Sequence, residues 1–176
     1  MPTRESELEA QKWVEAMVDR AERRANFGYF LPEGYGGYGV VERPDLAPLH
    51  GKMMYEFTLN PHNPLTFHDP AGIYLQPDRH GFLSDQGSIP RLLQRYFPKD
   101  EFPRSYYMHD SCCLHHGAYF SHSGIPGSFD FYHLSRKQVD DLLRQMVRAE
   151  GGSWGRAYAI WMGVRAGAKT GLVTSW

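Results

Sequence analysis

A chain of 176 residues with 19 basic and 20 acidic side chains is long enough to bury a real core as one domain. Its near balance of charge excludes the broadly basic surface of a general nucleic-acid binder. Its two cysteines, Cys112 and Cys113, are adjacent, which excludes a disulfide scaffold. The start, Met1-Pro2-Thr3-Arg4-Glu5, has no apolar signal core, and no apolar run is long enough to span a bilayer, so the expectation is a soluble protein made in a cytoplasm.

Residues 4–25 read as a helix. Ser6 and Glu9 have the spacing of a capping box, and Trp13, Val14, Met17 and Ala21 form a narrow apolar seam on a charged surface. That pattern describes a helix laid on a domain or a partner. Residues 27–50, beginning Phe27-Gly28-Tyr29-Phe30-Leu31-Pro32, are rich in Gly, Pro and Tyr and read as a loop or an aromatic arm. Their glycines lack the following Lys-Ser/Thr and the strand-to-helix context of a phosphate cradle. The expected division is therefore 1–50, helix plus Gly/Tyr-rich arm, and 51–176, the main domain.

Residues 52–84 read as β-rich, with alternation over 53–59 and short strands near Ile73 and Phe82 separated by turns. From Pro90 the chain turns helical. Pro90–Tyr96 is a short helix, and Pro103–Gly117 a longer one opened by Pro and closed by Gly. Residues 118–134 read as a Gly/Ser/Phe loop. Ser135 and Gln138 form a capping box for a third helix with the stripe Val139, Leu142, Leu143, Met146, Val147. Gly151-Gly152 ends it, and a fourth helix runs from about Ser153 to Ala168. The expected fold class is α+β: a small N-terminal antiparallel β region packed with three to four C-terminal helices, plus the N-terminal helix and arm.

Several side chains invite chemistry. Asp85 and Ser88 lie just before the Pro90 helix, and His109-Asp110 lie on the next. Ser88 and His109 could form a nucleophile and base. Without a Gly-x-Ser-x-Gly elbow, however, Ser88 reads better as a helix cap. His109, Cys112, Cys113 and His116 recur at i, i+3, i+4 and i+7, so they share a helix face that could hold zinc. The cysteines are equally suited to being small core residues. His109 and Asp110 point about 100° apart on a helix; they cannot chelate like ligands one turn apart, but both can border one cleft. On the last helix Arg165 falls inside the apolar arc of Trp154, Ala157, Tyr158, Trp161, Val164 and Ala168. A guanidinium aimed at a core needs a carboxylate, and Asp85, Asp110 and Asp140 are the candidates; otherwise it snorkels off the core edge.

The order Phe82-Leu83-Ser84-Asp85-Gln86-Gly87-Ser88-Ile89-Pro90-Arg91-Leu92, then Met108-His109-Asp110, then Ser135-Arg136 with Asp140, then Gly163-Val164-Arg165 resembles the DUF1353 family, small proteins of bacteriophages and prophage regions. The resemblance spans about residues 52–169. It matches at Asp85, Ser88, Pro90, His109, Asp110, Asp140 and Arg165. Ser84 stands where the family has Thr, Gln86-Gly87 where it has Phe-Ala, and Ser111-Cys112-Cys113 where it has Tyr-Leu-Tyr. The cysteine face is thus particular to this chain, which weakens zinc binding through thiolates. The resemblance implies a phage setting and no assigned chemistry.

Two readings follow. In the first, the protein is a small hydrolase of phage origin acting on cell-wall or nucleotide material. Asp85, His109, Asp110 and Asp140 are its catalytic groups, and His109 and Asp110 are ligands if a divalent metal such as zinc takes part. Arg165 binds an anionic group or locks the acids, with Ser88 beside them. In the second, it is a non-enzymatic tail, virion or accessory protein. The Asp/His/Arg cluster is then a buried network, and residues 1–50 dock on other phage proteins or on a second copy. Both readings place it in the host cytoplasm or the virion, with no membrane span.

Overall fold

Two antiparallel sheets and five α-helices organise the described residues, which are 4–31, 37–50, 53–60, 64–84 and 101–169 of the computed structural model. The helix α1 (Arg4–Phe27) is followed by strands β1 (Tyr29–Leu31) and β2 (Tyr38–Arg43). A short 3-10 turn leads into the one-turn helix α2 (Ala47–His50). Strands β3 (Met54–Leu59), β4 (Thr66–His68), β5 (Tyr74–Gln76) and β6 (Phe82–Ser84) precede helix α3 (Pro103–His115). The hairpin β7 (Gly117–Ser121) and β8 (Asp130–His133) then leads to α4 (Arg136–Ala149) and α5 (Trp154–Lys169). The larger sheet has the order β1-β4-β5-β7-β8 and the smaller β2-β3-β6. The fold is mixed α/β, but its helices are not confined to the C-terminal side of the strands, because α1 and α2 precede most of them.

The Gly/Tyr-rich stretch is not a free arm. Tyr29–Leu31 pairs with Thr66–His68, and Tyr38–Arg43 pairs along the whole of Met54–Leu59. Aromatic and β-branched residues at Tyr29, Phe30, Val40 and Val41 suit strands, while the glycines between them masked that signal. Gly28 is required where α1 meets β1: its φ is +81°, and a Cβ there would lie 2.1 Å from the His68 carbonyl oxygen.

The 118–134 stretch is likewise a hairpin. Its strands carry the aromatic pairs Tyr119–Phe131 and Phe120–Tyr132, with ring centroids 5.2 and 5.4 Å apart, as cross-strand neighbours do. Helix α3 stops at His115, with His116 in the left-handed conformation (φ 58°). Gly117 serves the sheet instead of the cap, since a Cβ there would meet the Tyr132 carbonyl at 2.3 Å. The expected helix Pro90–Tyr96, together with Asp85 and Ser88, lies outside the described residues.

The sheets and α3 enclose one core cluster, including Phe57, Phe67, Phe82, Tyr107 and Met108. A second cluster, including Tyr106, Ile160 and Val164, lies where α3, α4 and α5 meet. Helix α4 joins them. Its Val139 and Met146 enter the first and its Leu143 and Val147 the second, as its strongly amphipathic sequence requires. The capping box fixes its start, with Gln138 N donating to Ser135 Oγ and Ser135 N donating to Gln138 Oε1.

On α5 the buried face is Ala157, Ile160 and Val164. Trp154 and Tyr158 stack on each other at 5.3 Å but stay exposed, so the apolar arc read from sequence is rotated. The seam of α1 is exposed too, with Trp13 at 66% and Met17 at 50%. No helix among the described residues is long and apolar enough to cross a membrane.

Candidate functional site

Helix α3 runs through the middle of the packing, with seven of its residues buried from Ser105 to Cys112. This burial carries His109 to a position with no exposed side-chain surface. Asp140 reaches the same point because it follows Val139 on the buried stripe of α4, and it too is fully buried. His109 Nε2 lies 3.0 Å from Asp140 Oδ1, and His109 Nδ1 lies 3.5 Å from Asp110 Oδ1. Asp140 Oδ1 also accepts from Arg136 Nε at 2.9 Å, one turn earlier on α4. Asp140 Oδ2 faces Arg165 Nη1 of α5 at 3.5 Å. Asp110 Oδ2 accepts from Ser84 Oγ, at the end of β6, at 2.7 Å. Cys113 Sγ lies 3.6 Å from His109 Nε2.

Burial by itself would push the His109 imidazole towards its neutral form. The adjacent Cys113 sulfur and the hydrogen-bonded Asp110 and Asp140 carboxylates outweigh it, holding the pKa well above its ordinary 6.5. Burial likewise opposes the charge on Asp140, but His109 and Arg136 reverse that, and its pKa lies below the ordinary 3.8. The raised pKa favours the imidazolium form between the two carboxylates, one of which is braced by two guanidiniums. An imidazolium donating through both nitrogens has no lone pair left to take a proton or bind an ion. Either role for His109 would require one of these hydrogen bonds to open.

Of the groups singled out from sequence, the fold brings together His109, Asp110, Asp140 and Arg165. Asp85 and Ser88 lie outside the described residues, one and four positions beyond Ser84. The suggested zinc face does not assemble. Cys112 is fully buried in the core, its thiol pushed up by burial, and His116 leaves the helical face as the left-handed residue. Among the described residues no group of three or more His, Cys, Asp or Glu is arranged to hold a metal ion.

Sequence reasoning missed Arg136 as a partner of Asp140, although their i, i+4 spacing was available. It also missed Ser84, whose hydroxyl donates to Asp110. Asp110, with 12% of its side chain exposed, is the most open member of the cluster's carboxylates. It borders a cavity of about 30 Å³ beside Tyr38, Tyr106 and Tyr107, about the space of one water.

A family model described as a protein of unknown function, DUF1353, matches residues 62–164. The matched stretch holds Ser84, Asp85, His109, Asp110, Arg136 and Asp140 and stops one residue short of Arg165. No curated protein and no solved structure matches the chain.

Proposed function

The chain belongs to the DUF1353 family, and from that premise we propose that it is a non-enzymatic phage protein, a tail, virion or accessory component, in which the Asp/His/Arg cluster locks the fold. The observation that carries this reading is the closure of the cluster: His109 and Asp140 expose no side-chain surface, and both ring nitrogens of His109 face carboxylates. A general base needs a reachable proton and a free lone pair, and His109 as placed has neither. The phage setting rests on the ordered motifs shared with the family. In this reading the exposed seam of α1, Trp13, Val14, Met17 and Val18, is the face that docks on other phage proteins or on a second copy.

A hydrolase is the second reading, and one observation favours it. Asp110 keeps some exposure and accepts a hydrogen bond from Ser84 at the end of β6, so it is the carboxylate of the cluster that a substrate can reach.

Paired variants separate the two. His109→Ala should lower stability sharply, while Asp85→Asn should leave both folding and phage lysis or infectivity intact. Trp13→Ser with Met17→Ser should keep the melting temperature but abolish co-sedimentation with phage particles or self-association. If Asp85→Asn and His109→Ala both fold normally yet lose the biological effect, the lock is wrong and the hydrolase stands. Metal analysis of the purified protein then tests whether that hydrolase uses an ion.

A further inference from the structure

We propose that the cleft on the outer face of the five-stranded sheet binds a small amphipathic organic acid that carries a hydrogen-bond donor beside its carboxylate. Successive residues of a strand point to opposite faces. Phe30, Phe67 and Leu75 enter the core cluster, so their neighbours Leu31, Thr66 and Gln76 face away from it. Leu31 pairs with Thr66 and Gln76 with Tyr119 in the strand register, and the Gln76 amide reaches Thr66 between them. A row Leu31, Thr66, Gln76, Tyr119 therefore crosses the sheet. The loop between β7 and β8 supplies the rest of the wall. Gly124 packs against the Tyr74 ring, where a Cβ would meet three ring atoms at 3.0 Å, and Ser123 N and Gly124 N both donate to Ser121 Oγ at 3.1 Å. The cleft has a volume of about 670 Å³, and its walls include Leu31, Leu59, Pro64, Gln76, Arg79 and Phe129. That volume falls in the range of small-molecule sites. The cleft shares no residue with the His109 cluster or with the exposed seam of α1.

Two polar groups of the wall define the ligand. Thr66 Oγ1 donates to the Pro64 carbonyl at 2.9 Å, which spends its one proton. Thr66 can then only accept from Gln76, and this fixes the amide: Nε2 faces Thr66 at 3.0 Å and Oε1 points elsewhere. Oε1 accepts no hydrogen bond among the described residues, although Gln76 is only 8% exposed. An acceptor held in so little water gains from a ligand N–H or O–H. The second group is Arg79. Its guanidinium lies over the Tyr119 ring, 5.2 Å from the centroid, and meets no carboxylate among the described residues. The adjacent Asp78 is engaged with His80 instead. A guanidinium fork takes a carboxylate through two parallel bonds. Neighbouring strands lie about 5 Å apart. A ligand laid along the row thus meets apolar side chains at Leu31, Leu59 and Pro64, then an acceptor at Gln76, then a cation about one strand further on. An N-acyl amino acid with an apolar side chain presents that order: apolar body, N–H, carboxylate.

Calorimetric titration of the full-length protein with N-acetylleucine, N-acetylleucinamide and isocaproate tests the site. The three share one apolar body; the second lacks the carboxylate and the third lacks the donor. N-acetylleucine should bind, and each of the others about tenfold more weakly. Arg79→Gln should weaken N-acetylleucine and isocaproate about tenfold and leave the amide unchanged. Gln76→Leu should weaken N-acetylleucine and its amide but not isocaproate. Arg144→Gln, which alters a guanidinium lying over Trp161 instead, should change nothing. Failure of N-acetylleucine to bind overturns the proposal, as does binding indifferent to Arg79→Gln. Equal affinity for the acid and either of its truncated analogues overturns it too. So does binding of a peptide ending in leucine without N-acetylleucine, which would make the cleft a peptide-docking surface. If Gln76→Leu does not fold, the change at exposed Arg79 and the isocaproate comparison decide.

Discussion

The His109 cluster and the cavity beside Glu150 lie at opposite ends of α4 and treat charge in opposite ways. Helix α4 and its C-cap supply a carboxylate to each: Asp140 near its start and Glu150 at its end. Around Asp140, every charge meets a partner and the centre is sealed from water. Around Glu150, Arg104 and Ser105 hold the carboxylate at the edge of an open cavity. Water and salt can screen the second arrangement; nothing screens the first, so it must be closed to exist at all. A buried, fully matched charge set is therefore evidence about folding, whereas pairs that water and salt reach are worth less to it.

The comparison breaks most directly at Asp140. Asp140→Ala leaves a buried imidazolium and two guanidiniums facing no carboxylate there, and should cost about 3–5 kcal/mol. The midpoint of urea denaturation, at an unchanged slope, measures this. A cost within about 1 kcal/mol, typical of an ordinary substitution, would show that the cluster does not hold the fold. Titrating His109 is gentler, because Arg136 and Arg165 still hold Asp140. Its folded-state pKa is raised above 6.5, so its stabilisation is full below 6.5 and is lost as pH rises through the folded value. Asp140 is depressed below 3.8, so its share is present above 3.8 and is lost as pH falls through the folded value. Melting temperature should therefore be highest between these limits. His109→Gln should flatten the alkaline fall and also reduce the acid fall, leaving only the part of it that Arg136 sustains.

At the other end of α4, Glu150→Gln should cost about 1–2 kcal/mol by weakening the bonds to Ser105 that cap α3. Thermal melts check this cost, and an unchanged melting temperature would mean that the start of α3 does not depend on the Glu150 charge.

How much of this could be read from sequence depends on range. The amphipathic stripe of α4 and its Ser135–Gln138 box are local patterns, and the structure reproduces them. Arg165 inside an apolar arc signalled a carboxylate partner, and Asp140 is that partner, even though the arc itself is rotated away from Trp154 and Tyr158. Strands β1, β2, β7 and β8 were illegible because Gly, Pro or Ser punctuates the stretches that hold them; β1 and β2 are defined by pairing with β4 and β3, and β7 and β8 by pairing with each other and with β5.

The finest test lies in two neighbouring residues. Arg136–Asp140 and Lys137–Asp141 are both i, i+4 ion pairs on α4, at 2.9 and 2.6 Å. The second is the shorter, so distance alone ranks it first. Their surroundings differ: Asp140 is fully buried, whereas Lys137 is 71% exposed. Arg136→Ala removes a charged hydrogen bond from a sealed site and should cost about 2 kcal/mol. Lys137→Ala gives up a pair that water already screens and should cost under about 0.5 kcal/mol. Both substitutions delete one cation from the same helix turn, so helix propensity and net charge nearly cancel in the comparison. Equal costs, read from denaturation midpoints, would mean that burial does not set the worth of these charges, and the contrast between cluster and cavity would lose its physical basis.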